Sequence, residues 1–590
     1  MILVFGGTTE GRKAVKALEE AGSLYYYSTK GTEQEVVLHH GIRVTGAMDE
    51  MKMITFCQSH DIQLIIDAAH PFAEELHETI AKVAPFLQIP AIRFERLFYP
   101  HDDSSITWCT DLDDAISRIK VKRLFATTGV KSIAKLKVLE QKGVEVFYRI
   151  LERKESLDMA DIQNIDSSKL CFYHQDEDEH EIFSTISPDA ILLKESGVSG
   201  GFAKKIKAAK DLGIRIYAIQ RPKTSAVFQC VNGEYGLRRL VEKLLPAFYP
   251  LHSGLTTGTC ATAAAIAATF QYLKKEQPDE VFVTLPNGES IPVQVGYGSD
   301  YAFVLKDSGD DPDVTKGLQI CAKVGISEAE GITIKGGKGI GTITLPGFDY
   351  PPGEPAINKV PRAMIQQNLS AFGKNLEVTI FVPGGEEIAG RTFNPRLGIV
   401  GGISIVGVSG IIMPFSEEGF INSIRKCMEV AKASDCDTVV INSGAKSESY
   451  IRNHFPDLPP QVFVEYGNYI GETIKLAHEV GIHTVYLGIM LGKAVKLAEG
   501  HMDTHSKKVV MNKAFIADMA REARCPESVI ERISQITLAR ELWKIIPSDK
   551  INTFSRVVIS HCYKHCASLL PNGRLIILLI DENGRIYSDD

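Results

Sequence analysis

The run Ile2-Leu3-Val4-Phe5-Gly6-Gly7-Thr8-Thr9-Glu10-Gly11 passes from an apolar strand pattern, through glycines and hydroxyls, into a helical pattern. Glycines there let backbone approach a ligand closely, and a helix start offers N–H groups and a positive dipole end to a pyrophosphate. Gly6, Gly7, Thr8, Thr9 and Gly11 are therefore candidate cofactor-binding residues. The spacing is G-G-x-x-x-G rather than G-x-G-x-x-G, and a plain strand-to-helix turn is the alternative reading. The next strand ends Ser28-Thr29-Lys30 without a carboxylate for ribose hydroxyls. Ser28 and Lys30 suit a 2′-phosphate, or Lys30 is simply a solvated loop residue. Three more strand ends carry polar, glycine-containing loops: Asp67–Ala73 with His70, Thr127–Val130 with Thr128 and Gly129, and Lys194–Gly201 with Lys194, Ser196 and Gly197. Ligands of open α/β sheets bind outside the carboxyl ends of strands, so these loops could face one cleft. Taken singly, each reads equally as turn chemistry, and His70 reads equally as a proton-handling group or a satisfied core histidine.

Further along, Thr256-Thr257-Gly258-Thr259 opens an alanine-rich helix, where the hydroxyls either cap it or help bind an anion. Cys260 behind them reads as a packing residue. Lys306-Asp307-Ser308-Gly309-Asp310-Asp311-Pro312-Asp313 crowds carboxylates after a strand. The spacing is not that of an EF-hand, and the alternatives are a general base, a ribose-hydroxyl acceptor or a solvated turn. Leu397–Phe415 contains Gly401, Gly402, Ser404, Gly407 and Gly410, and later strand ends read Asn442-Ser443-Gly444, Glu465-Tyr466-Gly467-Asn468 and Gly488–Lys493. These are expected to line one sheet edge that takes a nucleoside. His501 and His505 have the i, i+4 spacing of a helical metal pair without the glutamate of H-E-x-x-H. His561-Cys562-Tyr563-Lys564-His565-Cys566 cannot converge tetrahedrally from one helix, so no protein-bound metal is expected.

The elements that must position these residues follow from periodicity. Strand patterns at Ile2–Phe5, Leu24–Ser28, Gln63–Ala68 and Pro90–Glu95, and again at Arg123–Thr127, Val144–Leu151, Leu170–His174, Ala190–Lys194 and Arg215–Gln220, alternate with helices. Such alternation predicts parallel sheets with right-handed crossovers. The expected architecture is α/β: two Rossmann-like doubly wound lobes (1–100 and 101–246), a linker (247–254), an α+β domain (255–395) and a further Rossmann-like α/β domain (396–590). The uncharged stretch 397–415 is long enough to span a bilayer, but its glycines and β-branched residues read better as buried strands of a parallel sheet. The 590 residues carry a net charge of −8, which argues against a nucleic-acid surface. Eleven irregularly spaced cysteines and no leader-like N-terminal segment point to a reducing, cytoplasmic setting.

The motifs GGTTEGR, DAAHPFAEELHE, IPAIRFER, FATTGVKS, KESGVSGGFAKKIKAAKDLGI and IQRP, spread over residues 1–245, resemble precorrin-6A reductase. That resemblance implies hydride transfer from NADPH or NADH to a corrin precursor held between two lobes, with Lys194 a candidate to meet a substrate carboxylate. Glu195 stands where such families commonly have Asn. SGLTTGTCATAAA, VTLPNGESIPV, KDSGDDPDVT, ITIKGGKGIGTITLPGF, TFNPRLGIVGGISIVGVSGIIMPFSEE, INSGAKSE and GKAVKLAEGHMDTHSK, over 251–590, resemble cobalt-precorrin-5B (carbon-1) methyltransferase. This implies methyl transfer from S-adenosylmethionine, and the product of that reaction is the reductase's substrate.

The expected function is thus a bifunctional corrin-biosynthesis enzyme. Candidate catalytic residues are Asp307, Asp310, Asp311, His505 and His70. Gly401, Gly402, Ser404, Gly407, Ser443 and Gly444 are expected at the methyl donor, and Thr128, Gly129, Lys194, Ser196, Gly197, Thr256 and Thr257 at the substrate. The partners are cobalt-containing tetrapyrrole intermediates, the cobalt arriving with the substrate; no nucleic acid and no membrane are expected, and a homo-oligomer stays open. The rival readings are a tetrapyrrole carrier or regulatory protein, and an enzyme with one inactive half.

Overall fold

The computed structural model describes residues 1–590 except Glu33, Pro100, Gln175, Asp176, Lys507 and Asp590. The chain forms two compact units, Met1–His252 with Asn287–Ile291, and Ser253–Pro286 with Pro292–Asp590.

In the first unit, β1 (Ile2–Phe5), β2 (Tyr25–Thr29), β3 (Gly41–Thr45), β4 (Leu64–Asp67) and β5 (Ala91–Phe94) belong to one sheet. A second sheet contains β6 (Ile106–Cys109), β7 (Arg123–Ala126), β8 (Glu145–Ile150), β9 (Leu170–Phe172), β10 (Ala190–Lys194) and β11 (Arg215–Ile219). β12 (Phe228–Val231) then returns to the first sheet, pairing in parallel with β5. The first sheet is therefore ordered β3-β2-β1-β4-β5-β12, all parallel, the 3-2-1-4-5-6 order of dinucleotide-binding sheets. The second runs β9-β8-β7-β10-β11-β6, again all parallel. Strands buried on both faces explain the continuous apolar runs: β1 and β4 are buried at every residue. Helices Thr9–Glu19 and Glu234–Leu244 cover one face of the first sheet, and Glu50–Ser59 and Glu74–Leu87 the other.

Two expectations change here. The first lobe is not confined to 1–100, because β12 and helix Glu234–Leu244 complete it after the chain has built the second sheet. The stretch 247–254 is packed rather than free: Phe248 and Tyr249 join the first-sheet core, and Tyr249 Oη donates to Ala17 O at 2.8 Å.

In the second unit, helix Thr257–Thr269 is buried at all 13 residues; its alanines are small and apolar, and the Thr262 and Thr269 hydroxyls are satisfied by the helix's own carbonyls. It packs against helix Lys359–Ser370 and against a sheet ordered Gly296–Tyr297, Ala302–Leu305, Gln319–Ile326, Leu376–Phe381, Ile332–Gly336, antiparallel except for the last pair. A further sheet runs Phe463–Glu465, Thr438–Asn442, Thr484–Met490, Arg574–Ile580, Ile586–Tyr587, parallel except for the last pair. Its chain order, 2-1-3-4-5, is the other common doubly wound order.

The glycine-rich stretch 397–415 is not part of that parallel sheet. It pairs two residues at a time with distant segments: Ile399–Val400 with Thr342–Ile343, Gly402–Ile403 with Gly339–Ile340, and Ile411–Ile412 with Gly254–Leu255. The α/β region accordingly begins with helix Glu417–Ala433 rather than at 396. Among the described residues no helix is long and apolar enough to cross a membrane.

Candidate functional sites

In the 3-2-1-4-5-6 sheet the strand order reverses between β1 and β4, and the loops after both strands carry predicted site residues. Thr8 caps helix Thr9–Glu19 through its hydroxyl, which accepts from Gly11 N and donates to Ala68 O at 2.6 Å, tying the two loops together. The glycines divide into two roles. A Cβ on Gly6 would lie 2.2 Å from Tyr27 Oη, and one on Gly11 would lie 2.9 Å from Gly6 Cα, so both serve close helix–strand packing. Gly7 has φ +88° with open space beside it, the cradle expected for a phosphate. Its N–H, however, is already accepted by Tyr27 Oη and Gln34 Oε1. Ser28 is buried, whereas Lys30 is exposed beyond the end of β2.

The loop after β4 is shaped by Asp67, which is fully buried. Arg93 donates to Asp67 Oδ1 at 2.7 Å and to Ala69 O, and His77 bridges Asp67 Oδ2 at 2.6 Å to the carbonyl of His70. His70 itself is open to solvent but walled in. Burial, with the Arg96 and Lys194 cations, pushes it down to about 4. Arg96 links the loops of both sheets, donating to Glu10 Oε2 at 2.7 Å and to Ser196 O at 2.7 Å. Burial works to raise the Glu10 carboxyl, and Arg96 with Ser199 outweighs it.

From the second sheet, Lys194 is half-buried with Nζ 4.9 Å from the Phe72 ring centroid. Thr128 shares its hydroxyl with Ser132, Gly129 at φ +83° has open space beside it, and Gly197 packs on Arg96. The structure thus brings His70, Lys194, Ser196 and Gly197 to one crevice around Arg96. Sequence reasoning missed the clasp beneath it: Glu195, fully buried, accepts from Arg221 Nη1 at 2.6 Å and meets His101 Nε2 at 2.9 Å.

In the second unit, Thr256 and Thr257 are buried and spent on structure rather than open to a ligand. Thr256 caps its helix, while Thr257 Oγ1 accepts from Val406 N and contacts Ser404 O and Val406 O. Gly258 N and Thr259 Oγ1 donate to Val406 O and Gly410 O, so segment 404–410 is knotted onto the helix start. Gly407 packs on Thr256 and Gly402 on Gly339, so these glycines serve the tie, whereas Gly401 has open space beside it. Ser404 donates to Asn394 Oδ1.

Beside this tie, Asp307 and Asp310 are exposed, while Asp311 Oδ1 accepts from Phe415 N. The loop is held by the buried Lys306, which donates to Ser308 and to Asp313 Oδ2 at 2.8 Å. Burial opposes ionisation of Asp313, but Lys306 and Thr315 hold it at about 2. That pair is structural, which leaves Asp307 and Asp310 to face solvent.

The 2-1-3-4-5 sheet presents its switch point between Thr438–Asn442 and Thr484–Met490. Gly444, at φ +136°, turns there into helix Ala445–His454, with Ser443 and Ser447 sharing hydroxyls. Lys493 donates to Asn468 Oδ1 and Gly467 O; burial, helped by Lys496, pushes its ammonium down to about 8. His505 lies past the end of helix Leu491–Ala498 in a non-helical segment whose Thr504 N–H donates to Asn468 O, so the i, i+4 pairing with His501 does not form. Cys562 and Cys566 are core thiols raised by burial, Cys566 to about 12, while His561 contacts Glu522. No group of three His, Cys, Asp or Glu able to hold a metal occurs among the described residues.

Each unit thus holds a doubly wound parallel sheet with a switch point of the kind at which such folds bind ligands, and the second sheet of the first unit adds another between β7 and β10. Residues 1–234 match the family Precorrin-6x reductase CbiJ/CobK, 247–414 match CbiD, and 503–590 match the CbiD C-terminal domain. A cobalt-precorrin-5B C(1)-methyltransferase of Prosthecochloris aestuarii is 40% identical over 356 residues, covering 58% of this chain and 96% of the relative. Among solved structures, a cobalamin biosynthesis protein (cbiD) from Archaeoglobus fulgidus is 30% identical over 46% of this chain and 84% of its own (TM-score 0.26). A CobK precorrin-6A reductase is 18% identical over 41% of this chain and 97% of its own (TM-score 0.35). The chain belongs to the CbiD family of cobalt-precorrin-5B C(1)-methyltransferases, with a precorrin-6x reductase domain fused ahead of it.

Proposed function

We propose that the chain performs two consecutive steps of corrin biosynthesis. The second unit methylates carbon 1 of cobalt-precorrin-5B from S-adenosylmethionine, and the first reduces the methylated macrocycle with NADPH. The observation that carries this reading is the pairing in one polypeptide of a methyltransferase family and a reductase family, each with its own switch-point crevice.

The donors supply the methyl group and the hydride; the chain's residues bind and align. A dinucleotide fits the first crevice at Gly7, where positive φ and open space leave a cradle, and the exposed Lys30 after β2 suits a 2′-phosphate. Lys194, beside His70, offers a cation to the carboxylate arms of a tetrapyrrole, while Arg96 is held by Glu10 and Ser196. Arg93 instead shapes the loop through Asp67. In the second unit Asp307 and Asp310 are exposed carboxylates on one loop, placed for acid–base work on the macrocycle. A biosynthetic enzyme with these donors fits a cytoplasmic location.

The test incubates purified protein anaerobically with cobalt-precorrin-5B, S-adenosylmethionine and NADPH or NADH, and follows product mass. Gain of one methyl and then of two hydrogens, faster with NADPH, is the expected result. Spectral shifts on binding without methyl or hydride consumption would make the protein a carrier instead.

A further inference from the structure

The parallel sheet of the second unit places an acidic side chain at an informative position. Strand Thr438–Asn442 ends at the Ser443–Gly444 turn, and its lateral neighbour Phe463–Glu465 ends on Glu465, in register opposite Asn442. A Cβ built on Gly444 would lie 3.3 Å from Glu465 Oε1, so the carboxylate overhangs the turn and only glycine leaves the space between them clear.

This carboxylate is poorly served by the protein. Among the described residues it accepts no hydrogen bond. Arg396 stands off at 3.9 Å, because the other arm of that guanidinium pairs with Glu448 at 2.9 Å, and Lys493 acts on the carboxylate only through space. The near arm, Arg396 Nη1, is buried with no hydrogen-bond partner. Burial raises the Glu465 carboxyl, with Arg396 opposing, as expected of an acceptor held ready without donors. In doubly wound sheets a carboxylate ending the strand beside the first one takes the vicinal hydroxyls of a ribose, and the nucleoside lies over the turn after the first strand.

We propose that Glu465 accepts hydrogen bonds from the ribose hydroxyls of the methyl donor's adenosine, seated over Ser443–Gly444. Lys493 bounds the far side of this crevice by fixing the Gly467–Asn468 loop. The assignment rests on the reading above that S-adenosylmethionine is the methyl source, and it moves the nucleoside away from the 401–410 loop.

The test measures equilibrium binding of S-adenosylhomocysteine and of its 2′-deoxyribose analogue to the full chain by calorimetry. Wild type should bind the parent more tightly than the deoxy analogue. Glu465→Ala should weaken the parent about 10- to 100-fold, the usual effect of losing hydrogen bonds to a charged group, and should no longer discriminate between the two ligands. Glu465→Gln, which keeps the shape and one acceptor, should fall between, with an unchanged melting temperature as the folding control. Binding of the parent by Glu465→Ala as tight as wild type, or discrimination retained in that variant, overturns the assignment while leaving the methyl-donor reading intact. Wild type that binds neither ligand overturns both.

Discussion

Asp67 ends β4 fully buried, and its two oxygens are divided between Arg93 and His77, which in turn grip the backbone at Ala69 and His70. Breaking a buried pair strands the remaining charge, a loss of about 3–5 kcal/mol. Asp67→Asn should therefore lower the first chemical-unfolding transition by about 3 kcal/mol, and adding Arg93→Met should recover part of that loss. A single-variant loss under about 1 kcal/mol would show that the pair does not hold the loop. His70 gives a pH prediction from the same crevice. Its imidazolium is disfavoured by burial and then by Arg96 and Lys194, so its midpoint sits at about 4 instead of 6.5. The folded state binds this proton less readily than the unfolded one, so the His70 contribution to stability is complete above about 6.5 and is lost as pH falls toward 4. Removing a like charge favours the charged ring, so Lys194→Gln should shift the His70 midpoint upward in histidine-labelled NMR titrations. A wild-type midpoint near 6.5 would contradict the assigned environment, and with it His70 as a neutral imidazole in the neutral range.

At the scale of elements, the knot between helix Thr257–Thr269 and segment 402–410 depends on backbones that touch. A Cβ on Gly402 would meet the Gly339 carbonyl carbon at 2.4 Å, across a ladder in which these two residues are partners. Neither backbone can move without breaking the pairing, so Gly402→Ala should destabilise the second unit by about 3 kcal/mol, the upper end of ordinary overpacking. Gly325→Ala, in strand Gln319–Ile326 with nothing within 4 Å, should be neutral or slightly stabilising in the same melts. A small effect at Gly402 would mean that the strands part easily. This region also marks where the sequence became hard to read. Central strands such as Ala190–Lys194 are found to the residue because burial on both faces leaves an unbroken apolar run. The glycine-rich 397–415 stretch has a similar uncharged, β-branched character, yet its partners lie far away at 254–255 and 339–343, and no local period encodes them. Phe228–Val231 was missed because its middle residues are polar and exposed, as an edge strand permits, and its partner is separated by an entire second sheet. Switch-point loops such as Thr8 and Lys194 were legible as polar glycine turns after strands. The buried clasps of Asp67 and Glu195 were not, although an acidic residue ending a LIID or LLKE run is a usable signal of buried pairing.

At the scale of the whole molecule, the chain is two compact units whose proposed chemistries use different donors and different sheets. Each site's residues come from its own unit, so damage to one should leave the other working. A chain carrying His70→Gln and Lys194→Gln should stop at the methylated macrocycle, and one carrying Glu465→Ala, with S-adenosylmethionine kept well below its weakened Kd, should leave cobalt-precorrin-5B largely unchanged. Mixed in one anaerobic reaction with both donors, the two variants should restore gain of one methyl followed by two hydrogens. The intermediate must then cross between molecules, so the lag before reduced product should shorten as the Glu465→Ala chain is raised. Wild type does not require that crossing, and its lag at matched concentration reads directly how much intermediate passes through bulk solution. A mixture that stalls at the methylated product at every concentration would show that reduction needs both sites intact in the same chain, and the independence of the two units would fail.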